Sequence, residues 1–374
     1  MTNEFASNGM TDTPLLTVVL TTYNGSQYIR ESIDSITSQS FRDFELIIID
    51  DASTDNTLEI IADIDDARIR VVKNEKNLGV CPTRNLGINL AKGKYYAAHD
   101  HDDLSDPRRF KKQIDFLEHN PDTVLVATGT NRLFRGHLTP FGDPRMANPM
   151  ILNWALNLHN ALVHSSIMMR TDILKTHDIR YRSTIQYADD FDLYHQLAAF
   201  GQIQCLPERL TTYRVHESNA FNTSLNEMAN NAANVANTGF QRVLGETVEH
   251  DVILCLQRMV NFYGFGGPAD SLKNIAAVAT VLARITTIAE EQAGTSNQQE
   301  LDQFHAFIAE TWWNAITRSG QLLGPSALKY YAKYPNLSTV NKTSLEMGIE
   351  LVRSSVYCLA KKLLRPRPSL VVSV

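Results

Sequence analysis

Between residues 15 and 129, short apolar runs alternate with stretches in which apolar residues recur every three or four positions. Runs at 16–21, 44–49, 95–98 and 123–127, with a weaker one at 68–72, have the length of buried strands, and the intervening stretches carry the period of helices. Ser26 stands where an N-cap is expected, ahead of Ile29, Ile33 and Ile36. Pro82 and Pro107 suit first helical turns. Leu86 with Leu90, and then Phe110, Ile114 and Leu117, supply the inward helix faces. This alternation predicts an α/β fold on a mostly parallel sheet flanked by helices.

After about residue 222 the strand pattern stops. Leu272, Ile275, Val278, Leu282 and Ile285 form one apolar stripe at helical spacing, and Leu301, Phe304, Ile308 and Trp312 form another, with breaks at 264–268 and 324–325. The expected organisation is an α/β domain over 14–222 and a helical C-terminal region over 223–374. A length of 374 residues with 43% hydrophobic content is enough to bury cores in both.

Charge and cysteine usage narrow the chemistry. A net charge of −6 argues against a nucleic-acid-binding surface, which is usually basic. The four cysteines, Cys81, Cys205, Cys255 and Cys358, form no CxxC pair, so neither a zinc site nor a disulfide framework is expected, and a reducing, cytoplasmic setting fits. Residues 1–14 have no basic and apolar segments of the secretory kind. The long uncharged stretch 146–169 contains Pro149, His159 and His164, which favours buried or site-lining protein over a membrane span. The tail, 351–374, carries Arg353, Lys361, Lys362, Arg365 and Arg367 opposite Val352, Val356, Leu359 and Leu363. Two readings of it stay open: a packed helix with a solvated basic face, or peripheral contact with an anionic membrane.

The polar residues at the predicted strand ends carry the functional signal. Thr21-Thr22-Tyr23-Asn24 follows the first strand, Asp50-Asp51 the second, and Asp100-His101-Asp102-Asp103 the fourth. In open parallel sheets ligands bind beyond the carboxyl ends of strands. Carboxylates gathered there repel one another unless a cation joins them, and hard oxygen ligands favour Mg2+ or Mn2+. A diphosphate would supply further oxygens.

These residues resemble the inverting glycosyltransferases of family 2, which have the GT-A nucleotide-diphospho-sugar transferase fold. The resemblance rests on Leu16 to Asn24, on Phe44-Glu-Leu-Ile-Ile-Ile-Asp-Asp-Ala-Ser-Thr-Asp55, on Asn77-Leu-Gly-Val80, on Thr83-Arg-Asn-Leu-Gly-Ile88, on Lys92-Gly-Lys-Tyr95 and on Asp100-His-Asp-Asp103. It continues through His164 to Arg170, Tyr187-Ala-Asp-Asp-Phe-Asp-Leu193 and Tyr213-Arg-Val-His216, and fades after about residue 220. It implies a nucleotide-sugar donor, typically carrying uridine, held by Thr21, Tyr23, Asn24, Asp51, Arg84 and Asp100, with Tyr23 stacking on the base and Asp51 bonding to it. It implies a Mn2+ or Mg2+ site at Asp102, with Asp100 and His216 also near it, and Asp103 in support.

Asp190 would be the general base for a hydroxyl on a saccharide or lipid-linked acceptor. The family's Glu-Asp pair reads Asp189-Asp190 here, which leaves open which carboxylate takes the proton. His101, inside the acidic element, has only a weak claim on the metal. His164 and Ser165 could line the acceptor side or satisfy buried polar groups. The Gln-x-x-Arg-Trp motif of processive family members is not found in the sequence, which favours transfer of single sugars. The expected setting is bacterial polysaccharide or glycolipid synthesis. The competing readings are a non-catalytic nucleotide-sugar-binding protein and a metal-dependent nucleotidyltransferase, the latter weakened by the lack of a glycine-lysine phosphate loop.

Overall fold

The computed structural model describes residues 13–217, 225–260, 272–293 and 298–323, together with 329, 333, 334 and 337. The chain forms two compact units, 1–239 and 240–374. In the first unit β1 (Leu16–Thr22), β2 (Phe44–Asp50), β3 (Ile69–Lys73) and β4 (Tyr95–Asp100) run parallel in the order β3-β2-β1-β4. The helices α1 (Ile29–Thr37), α2 (Thr57–Ala62) and α3 (Val80–Leu90) connect them. The sheet continues through β8 (Met168–Arg170), β6 (Thr123–Phe134), β9 (Gln202–Val215) and the short β5 (Leu104–Ser105), with β7 (His137–Phe141) paired to β6. β8 lies antiparallel between β4 and β6, whereas β6 and β9 are parallel. The mostly parallel sheet flanked by helices is therefore present, with reversed segments that periodicity did not anticipate.

Strand composition explains the order. β1 (LTVVLTT) and β2 (FELIIID) are almost continuously apolar because helices cover both faces of the sheet, and they are buried nearly throughout. β3 (IRVVK) is the edge strand, and its Arg70, Val71 and Lys73 stay exposed. Charged residues there discourage pairing with a further strand. Ile29, Ile33 and Ile36 of α1, with Phe110, Ile114 and Leu117 of α4 (Arg109–His119), pack in the same core as Leu16, Val18, Leu20, Leu46 and Ile48.

Two local expectations need correction. Ser26 is not the cap of α1. It lies in the turn that precedes the helix, closed by bonds from the amides of Tyr28 and Ile29 to the Gly25 carbonyl, and Tyr28 is the residue ahead of the first helical turn. The inward face of α3 is not Leu86 and Leu90, which are half-buried, but Cys81, Thr83, Gly87 and Ile88. Gly87 permits this: a Cβ there would stand 2.4 Å from Val19, so the helix rests directly on β1 and turns its leucines aside.

The reversed segment 146–169 is buried protein, as its polar residues indicated. It comprises α5 (Pro149–Leu158), the one-turn 3-10 helix His164–Ser166 and β8. Two further helices of this unit, α6 (Thr171–Thr176) and α7 (Asp189–Leu197), follow. α8 (Leu225–Leu244) crosses the boundary between the units. In the second unit α9 (His250–Val260), α10 (Leu272–Ala293) and α11 (Gln298–Leu323) bury the predicted stripes, with Ile275, Val278, Leu282, Phe304 and Trp312 in its core. The proposed breaks at 264–268 and 324–325 and the tail 351–374 lie outside the described residues. No helix among the described residues is long and apolar enough to cross a membrane.

A Cβ on Gly93, in the loop between α3 and β4, would lie 2.5 Å from the Thr17 nitrogen and 2.6 Å from the Leu16 carbonyl carbon. Backbone cannot withdraw as a flexible side chain can. Gly93→Ala is therefore expected to lower stability by about 1–3 kcal/mol, measured by chemical unfolding at constant m-value.

Candidate active site

The carboxyl ends of β1, β2 and β4 present the predicted residues at one edge of the sheet, and the end of β9 joins them there. After β1, Tyr23 is exposed and Asn24 adopts a left-handed backbone with φ of 50°. The Asn24 side-chain oxygen accepts from the Thr54 amide at 2.8 Å, and its own amide donates to the Ser53 hydroxyl at 2.9 Å. Asp55 accepts from the Ser26 amide and from the amide and hydroxyl of Thr57, and the Thr57 hydroxyl accepts from the Gly25 amide. The loops after β1 and β2 are thus laced together. Thr21, half-buried within β1, pairs with Ile49 on one side and Asp100 on the other.

Asp51 is buried at the end of β2. One of its oxygens accepts from the Leu78 amide at 2.9 Å and from the Asn74 side chain at 2.7 Å, and the other accepts from the Gly79 amide at 2.9 Å. A carboxylate offers about four acceptor positions, so roughly one remains for a ligand. Holding the 77–79 loop in place is a role that the sequence reading did not assign to Asp51. Gly79 has φ of 89°, which suits glycine.

The acidic residues after β4 diverge. Asp100 accepts from Arg84 at 2.9 Å and approaches the His164 ring at 3.1 Å. Burial opposes its charge, but His164 and Arg84 overcome that and hold its carboxyl well below the usual value. Asp102 meets His216, at the end of β9, with 2.8 Å between Oδ2 and Nε2. Asp103 is buried, accepts from the Arg214 amide, and has its pKa raised by burial and then by the charges of Asp102 and Asp100.

Arg84, on α3, reaches further. One guanidinium nitrogen donates to Asp100 and another donates to Asp189 at 2.7 Å. Burial works against the guanidinium charge, and Asp100 and Asp189 more than restore it. Asp189 and Asp190 open α7, where helix-end amides favour negative charge. Only Asp189 is bound by Arg84. Half-buried Asp190 accepts from Asn160 at 2.8 Å and from the Phe191 amide at 2.7 Å, and burial, followed by the charge of Asp189, raises its pKa.

The structure therefore brings Arg84, Asp100, Asp189 and His164 into one charged cluster and pairs Asp102 with His216. It does not gather Asp100, Asp102 and His216 about one point: among the described residues no three His, Cys, Asp or Glu side chains are placed to hold a metal ion. Asn160, Asn74 and Tyr181 went unnoticed in the sequence. Tyr181 shares the His164 ring at 3.0 Å. No motif marks these residues, because their roles come from chain segments that meet only in the folded sheet.

The glycosyl transferase family 2 profile matches residues 17–177. An uncharacterized glycosyltransferase of Haemophilus influenzae is 30% identical over 233 residues, which are 59% of this chain and 72% of that protein. The chain belongs to glycosyltransferase family 2. Its GT-A fold also matches S. aureus TarS 1-349, solved in complex with UDP-GlcNAc, with a TM-score of 0.55, 19% identity, and coverage of 82% of this chain and 91% of that one. A Pyrobaculum calidifontis mannosyltransferase, PcManGT, solved with GDP-Man and Mn2+, gives a TM-score of 0.51 and 16% identity over 94% and 89% of the two chains. The strand-end residues of this glycosyltransferase thus occupy the edge where its fold class suggested a ligand.

Hydrogen bonds from Thr57 and Ser26 outweigh burial and lower the Asp55 pKa from 3.8 to about 2. A depressed carboxyl pKa adds stability that is complete above the unfolded value of 3.8 and is lost as pH falls through about 2. Asp55→Asn should therefore destabilise the enzyme at pH 6, and its deficit against wild type should shrink as pH is lowered towards 2. Unfolding free energies measured across that range check this.

Proposed function

We propose that this glycosyltransferase moves a single sugar, with inversion, from a nucleotide diphosphate donor, most simply a UDP-sugar, to a hydroxyl on a saccharide or lipid-linked acceptor. One observation carries the division of labour: Arg84 is bonded to both Asp100 and Asp189, while Asp190 faces no cation at hydrogen-bonding distance among the described residues. An ion-paired carboxylate is a weak base. The raised pKa of Asp190 suits proton abstraction, so Asp190 is the base and Asp189 its electrostatic neighbour.

The donor lies along the strand ends in this reading. Exposed Tyr23 offers a face for the base, and Asp51 offers its remaining acceptor position to a base N–H. Thr21 and Asn24 shape the loop beneath, and Arg84 with Asp100 borders the diphosphate and ribose. That TarS was solved with UDP-GlcNAc and PcManGT with GDP-Man and Mn2+ supports a nucleotide-sugar and a divalent ion, and leaves the base to be tested.

The residues fit such an ion. Asp102 Oδ2 and His216 Nε2, 2.8 Å apart, put a carboxylate and an imidazole side by side, donor types that divalent ions accept. Asp102 and His216 would hold it, diphosphate oxygens would complete the shell, and Asp103 would brace the loop through Arg214. When bound, the ion supplies positive charge beside the departing diphosphate. In the transfer itself, the acceptor oxygen forms a bond to the anomeric carbon as the bond from that carbon to the diphosphate oxygen breaks. Asp190 accepts the hydroxyl proton, and the electron pair leaves with the nucleotide diphosphate.

A panel of nucleotide sugars with Mn2+ or Mg2+, scored for diphosphate release, tests this. Wild type should act on one or two donors and stop on chelation. Asp102→Ala should lose metal-stimulated turnover, and Asp190→Asn should lower kcat by roughly 10²–10⁴ while donor binding persists. Full turnover by Asp190→Asn would sink the assignment.

A further inference from the structure

We propose that Asn160, in the loop between α5 and the 164–166 turn, is a positioning residue that sets the orientation and basicity of Asp190. The inference rests on the reading of Asp190 as the general base. The Asn160 carboxamide is oriented by its own backbone: Oδ1 accepts from the Leu162 amide at 3.2 Å, an Asx turn that closes the loop. Because a backbone N–H requires an oxygen acceptor, this bond decides which end of the amide points elsewhere. The other end, Nδ2, donates to Asp190 Oδ2 at 2.8 Å. Asp190 Oδ1 is occupied by the Phe191 amide, so both carboxylate oxygens have one fixed donor each, and the plane of the carboxylate is set by two chain segments 30 positions apart.

The surroundings make this donor consequential. Asp189, on the same helix, repels the Asp190 charge, whereas Arg84 from α3 and His164 from the 164–166 turn attract it. The phenols of Tyr181 and Tyr194 stand in the same field. Arg84 is already committed to Asp100 and Asp189, and His164 to Asp100 and Tyr181. Asn160 is a directed hydrogen-bond donor to Asp190 that carries no charge. It favours the ionised carboxylate without pairing it, which opposes the rise that burial and Asp189 impose and leaves the remaining lone pairs of Asp190 for an acceptor hydroxyl.

Asn160→Asp separates this role from loop structure, because aspartate can still close the Asx turn but offers Asp190 an acceptor and a second negative charge. Wild type, Asn160→Asp, Asn160→Ala and Asp190→Asn are compared by pH profiles of kcat/KM for transfer, with donor KM and thermal midpoints measured alongside. The expected result is a fall in kcat of tenfold or more for Asn160→Asp, an acidic limb moved at least one pH unit upward, and donor KM and thermal midpoint close to wild type. Asn160→Ala should lower kcat with a smaller movement of the limb. An inactive Asp190→Asn beside an Asn160→Asp enzyme with unchanged limb and kcat would overturn the role of Asn160 alone. A fully active Asp190→Asn enzyme would overturn the general-base reading and this inference with it.

Discussion

Like charges brought together at the end of a sheet must be separated by something, and in this protein that something is chiefly Arg84. Asp100, Asp102, Asp103, Asp189 and Asp190 come from two distant stretches of chain, and at low effective dielectric their repulsion would be several kcal/mol per close pair if left uncompensated. The single guanidinium bonded to Asp100 and Asp189 ties the strand that carries one group to the helix that carries the other. His216 meets Asp102, and Asp103 is buried with a raised pKa. Each carboxylate thereby acquires a distinct environment, which is how groups of one chemical kind come to do different work.

The loops at the carboxyl ends of β1 and β2 are held with equal economy. Asp51, Asp55 and Asn24 all spend their side chains on backbone amides of neighbouring loops. A motif that reads as donor recognition is also the fastening that keeps three loops at fixed spacing. Such fastening lowers the ordering cost of binding, because the backbone is already placed when a ligand arrives.

The reversed segment around β8 completes the arrangement. Its insertion beside β4 brings His164 against Asp100 and places the Ser165 hydroxyl at 3.0 Å from the Asp100 amide. Buried Arg109 of α4 donates to the carbonyls of Ala98 and Ile167, joining β4 to that same segment. The position of the acidic loop is therefore set from behind by α4 and from the side by the 164–167 turn.

Local sequence was enough to establish the βαβ order, the buried strands, the helical stripes of the C-terminal region and the strand-end placement of Tyr23, Asp51 and Asp100. Periodicity of two or 3.6 and turn chemistry act over a few residues, and parallel strands end where their apolar runs end. The same information misplaced the inward face of α3, because the contact of Gly87 with Val19 joins two elements far apart in the chain. It could not say that Arg84 would bond Asp189 and leave Asp190 aside, or that Asn160 would meet Asp190, since those facts depend on Arg84 crossing from α3 and on a loop arriving from α5. Hydrogen bonds and ion pairs are decided by distances of a few tenths of an ångström between segments a hundred residues apart, and only the tertiary structure settles those distances.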